Sequence, residues 1–189
     1  MFMLWTIPIG IVLGLVAHGR LEGLSALRLR WAWLAVAGLL VQVVLFSETG
    51  NGLAGAYAPA IYVASTLAVF VSVVLNFRIT GMPLVALGSL SNLVAISTNG
   101  GFMPADPAAL HAAGLDGPGS HTNSIVLENP AFEPLTDIFA IPASLPLANV
   151  FSVGDVLLGI GIVVVIVAAM RRVPSVEAAS PVDAAPIGG

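Results

Sequence analysis

Val153-Gly154-Asp155-Val156-Leu157-Leu158-Gly159-Ile160-Gly161-Ile162-Val163-Val164-Val165-Ile166-Val167-Ala168-Ala169-Met170, closed by Arg171-Arg172, decides how this chain is read. The run carries one charged side chain, near its start, and is about as long as an α-helix must be to cross the hydrocarbon of a bilayer. Similar apolar runs lie upstream, from Phe2 to Ala17, Trp31 to Phe46, Tyr57 to Phe77 and Pro83 to Thr98. Some are near the lower length limit for a span, so they must draw on flanking residues or on locally thinned lipid. The pattern predicts an all-α, polytopic membrane helix bundle with about five transmembrane helices.

Composition agrees. Hydrophobic residues make up 58% of the chain and charged residues 8%, and the mean hydropathy is +1.01. Soluble domains carry about a quarter charged residues to keep their surface wet. With no lysine, six arginines and ten acids, the chain has no broad basic surface for nucleic acid. It also has no cysteine, which excludes disulfides, thiolate metal sites and iron–sulfur clusters.

The arginines set the orientation. Arg20, Arg28 and Arg30 follow the first run, Arg78 follows the third, and Arg171 and Arg172 follow the fifth, all on one side of an alternating path. The other side holds Glu48, Asp106, Asp116, Glu128, Glu133 and Asp137. Positive charge is retained on the cytoplasmic side, so the N-terminus is expected outside and the C-terminus inside. Trp31, Trp33 and Phe77 then fall at inner ends, and Trp5, Tyr57, Tyr62 and Phe151 at outer ends, where amphipathic rings favour the headgroup level. Ala17-His18-Gly19-Arg20 is a poor cleavage site, so the first run is read as a retained helix.

Residues 1–172, including the outer loop 99–151, are expected to form one transmembrane helical domain. That loop lacks an obvious helix or strand and mixes apolar stretches with Pro130, Pro134, Pro142 and Pro146, which suggests a cap on the outer membrane surface or a re-entrant piece near Ile138–Leu147. Residues 173–189, rich in Ala, Pro, Ser and Gly, read as a disordered cytoplasmic tail.

Few residues offer chemistry. Ser152-Val153-Gly154-Asp155 fits a capping box, which would place the Asp155 carboxylate at the positive end of the fifth helix; the competing reading is a functional intramembrane acid. Ser89, Asn92 and Asn99 share one face of the fourth helix, with Ser91 and Thr98 beside it, and Gln42 and Thr66 are expected partners for that face. Ser89, Asn92, Asn99, Asp137 and Asp155 together make a candidate polar pocket. Gly10 with Gly14, and Ala64, Ala68 and Ser72, mark expected close helix contacts. His111, Asp116, His121 and Glu128 lack metal-ligand spacing, so no metal is expected. Only His18 could approach lipid depth, so no haem or other cofactor is expected. No nucleophile elbow, phosphate loop or HExxH occurs, so no catalytic residue is assigned.

Asn76-Phe77-Arg78, Asn92, Asn99-Gly100-Gly101-Phe102-Met103-Pro104 and Ser152-Val153-Gly154-Asp155 together resemble a family of bacterial multi-pass membrane proteins catalogued as domain of unknown function 5317. The resemblance covers most of the chain to about Arg172. It implies a bacterial cytoplasmic membrane and supplies no activity. The leading functional reading is a non-catalytic accessory subunit or binding module of a larger membrane complex, with the bilayer and other membrane subunits as partners. The alternatives are a small-solute or lipid transporter using the polar face of the fourth helix, and a membrane-embedded lipid-modifying enzyme using Asp155, Asp137 or Glu133.

Overall fold

The computed structural model describes residues 3–115 and 124–172. In chain order the elements are α1 (Met3–Val16), α2 (Glu22–Ser25), α3 (Ala32–Leu45), α4 (Glu48–Ala54), a 3-10 turn (Gly55–Tyr57), α5 (Ala58–Val74), α6 (Met82–Thr98), β1 (Met103–Pro104), α7 (Pro107–Ala113), β2 (Ser124–Ile125), a second 3-10 turn (Glu133–Leu135), β3 (Phe139–Ile141), β4 (Asn149–Phe151) and α8 (Val153–Met170). The chain is mostly helical, as expected, and each of the five apolar runs forms a helix.

Two helical stretches, Gly52–Val74 and Val153–Met170, are long and apolar enough to cross a membrane; α1, α3 and α6 are shorter. The 14 residues of α1 and of α3 reach only about 21 Å at about 1.5 Å per residue. Proline starts α5 and α6 in their first turns, where its missing N–H costs nothing. The α6 helix stops at Asn99-Gly100-Gly101: Gly101, at φ +83°, turns its N–H back to the Ile96 carbonyl at 2.9 Å.

The five long helices form a row in which α3, α5, α6, α8 and α1 are successive neighbours. Gly10 lies against Ile166 and Gly14 against Met170, so α1 runs parallel to α8. Gly81 meets Gly161 and Gly88 meets Gly154, so α6 runs antiparallel to α8. Pro59 meets Gly101 while Tyr62 packs with Ala95 and Ile96, which makes α5 antiparallel to α6. Gly38 meets Ser65 while Ser72 Oγ donates to the Trp31 carbonyl at 3.1 Å, which makes α3 antiparallel to α5. Helix direction therefore alternates with chain order.

The long loop is a small α/β cap at one end of this row. The β1 and β2 strands pair in parallel, an Ala105–Asp137 bridge extends that pairing, and β3 and β4 form an antiparallel hairpin across the segment considered for re-entry. The α7 helix starts on Asp106, whose carboxylate accepts from the Ala108 N–H at 2.9 Å, and stops at Gly114. Ala109, Leu110 and Ala113 pack with Ala105 and Val150 into a core of the cap's own.

Three expectations need correction. Tyr62 is buried and sets its ring edge-on to Phe46 at 4.8 Å, so it is a core residue and not a headgroup anchor. Ala64 is exposed, whereas Ser72 of the same stripe is buried as expected; α5 approaches α3 through Ser65 and Ser72. Gln42 and Thr66 bond to each other across α3 and α5, at 3.2 Å, and not to α6, which lies on the far side of α5. The proposed tail, 173–189, lies outside the described residues.

Candidate functional site: a polar seam under the cap

The polar residues of α6 sit where the helix approaches α8, and glycine makes that approach possible. A Cβ on Gly88 would collide with the Gly154 carbonyl, and one on Gly161 would lie 2.7 Å from the Val85 nitrogen. One turn beyond Gly88, the same face carries Asn92, directly over the start of α8.

Four hydrogen bonds close a ring there. Ser152 caps α8 by accepting from the Asp155 N–H at 3.1 Å, and the Ser152 N–H donates to Asp155 Oδ2 at 3.1 Å, which is the reciprocal capping box expected from the sequence. Asn92 closes it from the other helix: its Nδ2 donates to Asp155 Oδ1 at 2.8 Å and its Oδ1 accepts from Ser152 Oγ at 2.9 Å. Ser152 is fully buried. The carboxylate thus receives a backbone donor and a side-chain amide at the N-terminal end of α8.

Asn99 does comparable work at the exit of α6. Its Nδ2 donates to the carbonyls of Ala95, at 2.7 Å, and Ala131, at 3.0 Å, while its Oδ1 accepts from the Ala131 N–H at 2.8 Å. One side chain therefore pairs with a loop backbone as a strand would, and pins the cap to the bundle.

Asp137 is the buried acid of the cap, 4% exposed. Its N–H donates to the Pro104 carbonyl at 2.9 Å, its carbonyl accepts from the Asp106 N–H at 3.0 Å, and its Oδ2 accepts from Ser124 Oγ at 3.0 Å. Burial pushes this carboxyl up to about 7, and the nearby Asp155 charge adds to the rise.

The structure thus brings Asn92 and Asp155 into one network, with Asp137 close enough to feel it and Asn99 at the cap's other anchor. Ser89 is buried in the same helix but bonds to none of these groups. Sequence reasoning missed Ser152 as a bridge between helices, Ser124 as the partner of Asp137, and Ala131 as the backbone that Asn99 holds. An Asn inside an apolar helix signals that some partner exists, but nothing local names it.

The cap also carries a partly open cavity of about 450 Å³ whose lining includes Asp106, Val126, Glu128, Asn129, Glu133 and Ile138. Of the four residues weighed for a metal, Asp116 and His121 lie outside the described residues, and His111 and Glu128 are exposed. Among the described residues no group of three acids or histidines is placed to hold an ion.

Fold and seam together define a mostly helical bundle, with two helices able to span a membrane, in which Asn92, Ser152 and Asp155 close the α6–α8 seam and the buried Asn99 ties down the cap. The chain belongs to the family of unknown function DUF5317, which it matches over residues 26–167. No curated protein and no solved structure matches it. The family match takes in α3, α5, α6, the cap and nearly all of α8, so the whole seam lies within the region that the family shares.

Proposed function

We propose that this chain is a five-span protein of a bacterial cytoplasmic membrane, N-terminus outside and C-terminus inside, and that it serves as a non-catalytic binding module presenting its cap to another membrane subunit. The membrane part is supported by the two edges of the helix row. On α1, Leu4, Trp5, Ile7, Ile9, Val12, Leu13, Leu15 and Val16 are exposed, and on α3 so are Val36, Leu39, Leu40, Val41, Val43 and Val44. Contiguous apolar faces of this extent belong in contact with lipid or protein rather than water. The alternating helix directions put all six arginines at one end of the row and the cap at the other, which is the asymmetry that membrane insertion selects.

One observation carries the binding-module reading: the side chains best suited to chemistry are committed to joining α6, α8 and the cap. Asn92, Asn99, Ser152 and Asp155 bond to one another or to the backbone, whereas the cap keeps a partly open cavity lined by Asp106, Glu128 and Glu133. Such a site supports recognition better than turnover.

The test is purification of the full chain in mild detergent from its native membrane. A stoichiometric partner is expected, and Glu128→Gln with Glu133→Gln should weaken its retention without changing expression. Recovery of the chain alone, or retention untouched by changes at the cap, would overturn the reading.

A further inference from the structure

At the end of the row opposite the cap, the geometry gathers charges that are far apart in sequence. Because α1 lies at one edge of the row beside α8, and α3 at the other edge beside α5, the connector between them must cross the base of the bundle. It is held at both ends. The Arg20 N–H donates to the Met170 carbonyl at 2.7 Å, and Gly23 packs so closely under α8 that a Cβ there would meet the Ala169 carbonyl. At the far edge Asn76 clamps Arg30 by its backbone, accepting from the N–H and donating to the carbonyl, both at 2.8 Å.

This strap brings Arg20 beside Arg171 and Arg172, carries Arg28 across the base, and sets Arg30 near Arg78. All six guanidinium groups are exposed, and the ion pair found among the described residues is Arg20 with Glu22, at 3.0 Å. Asn76 holds Arg30 through its backbone alone, and the Arg28, Arg30 and Arg78 side chains are exposed with no acid paired to them among the described residues. Immediately next to them, Trp31 and Trp33 stack at 5.8 Å, both more than half exposed, with Leu29 exposed as well. Cations flanked by indoles at the end of an apolar helix match the layered chemistry of a headgroup region, phosphate above and acyl chain below.

We infer that this strap is a binding surface for anionic phospholipid, with Arg28, Arg30 and Arg78 contacting phosphate and Trp31 and Trp33 seated at the headgroup–acyl boundary. It rests on the membrane reading above and adds to it a preference for one class of lipid.

The test uses the full-length chain in nanodiscs of phosphatidylcholine with or without phosphatidylglycerol, with Trp5→Phe so that fluorescence reports Trp31 and Trp33. Brominated phosphatidylglycerol should quench that fluorescence more strongly than brominated phosphatidylcholine at equal mole fraction. The preference should fall about fivefold for each of Arg28→Gln, Arg30→Gln and Arg78→Gln, the equivalent of about 1 kcal/mol per arginine beside an anionic surface. Arg20→Gln should lose less, because Glu22 already offsets that charge, and Glu22→Gln should strengthen the preference. Equal quenching by the two lipids in the parent chain would overturn the inference while leaving the membrane reading standing. A chain that does not enter nanodiscs at all would overturn the membrane reading itself.

Discussion

The α6–α8 and α3–α5 pairs are both antiparallel, and they are held together in opposite ways. Between α6 and α8 the contact is backbone to backbone: Gly81 faces Gly161, Gly88 faces Gly154, and the end of the seam is locked by Asn92, Ser152 and Asp155. Between α3 and α5 there is one close approach at Gly38, the Gln42–Thr66 and Ser72–Trp31 bonds, the Asn76 clamp and the packing of Leu45 and Phe46 with Tyr62, while one face of α3 keeps its apolar side chains exposed. The difference separates what fixes the fold from what the surroundings must finish. The central seam is complete in itself, whereas the flank leaves an apolar face that, on the proposed membrane reading, lipid would cover.

Substitutions in the central seam should therefore cost most. Gly154→Ala puts a methyl group onto the Asn92 amide, and Gly88→Ala puts one onto the Gly154 carbonyl. Each should lower stability by about 1–3 kcal/mol or more, read as a fall in the thermal midpoint in detergent, since helices already in contact cannot absorb added volume. Gly52→Ala, with open space around it, is the matched control and should change nothing measurable.

Next in size, Asn92→Leu removes the amide that both Ser152 and Asp155 use. A cost of about 1–3 kcal/mol is expected, because a buried hydroxyl and a carboxylate oxygen each lose a partner. A loss well below that would mean that the capping box stands without Asn92 and that the seam's lock is dispensable.

Asp137 links the seam to pH. Its carboxyl is raised in the folded state from the ordinary value of 3.8 to about 7. The folded cap therefore holds a proton that the unfolded chain has already released, and its stability is greatest below about pH 4 and declines as pH rises toward 7. Amide exchange across 103–115 and 124–141 should quicken over that interval and level off above it. In Asp137→Asn the dependence should disappear. Exchange that slows with rising pH, after correction for intrinsic rates, would contradict the assignment.

The smallest effect belongs to the flank. Gln42→Leu should cost only about 0.6 kcal/mol, the average worth of a hydrogen bond between membrane helices. A cost comparable to that of Asn92→Leu would erase the contrast between the two pairs.

How much of this was legible in the sequence follows the range of each interaction. Helix positions were readable from apolar run length, the α6 stop from Asn99-Gly100-Gly101, and the start of α8 from Ser152 and Asp155, because each signal lies within a few residues of its effect. The cap's strands were not, since two- and three-residue strands leave no periodicity and are paired by partners such as Ser124 and Asp137 that local sequence does not connect. The small-residue stripe on α5 was right at Ser72 and wrong at Ala64, because small residues show which faces can approach, not which do. Asn92 was visible as a polar residue in need of a partner, but its partners lie 60 and 63 residues away.

The most direct test is to map the two ends of the row on a chain that contains no cysteine of its own. Single cysteines at Ala112 and Ser144, in the cap, and at Ala26 and Thr80, at the arginine end, should be exposed to a membrane-impermeant maleimide. In intact cells, with the outer envelope permeabilised, labelling at Ala112→Cys and Ser144→Cys, and at Ala26→Cys and Thr80→Cys only after the inner membrane is breached, is the predicted result. Labelling of all four alike, or of the arginine end alone, would contradict the five-span orientation on which the account rests.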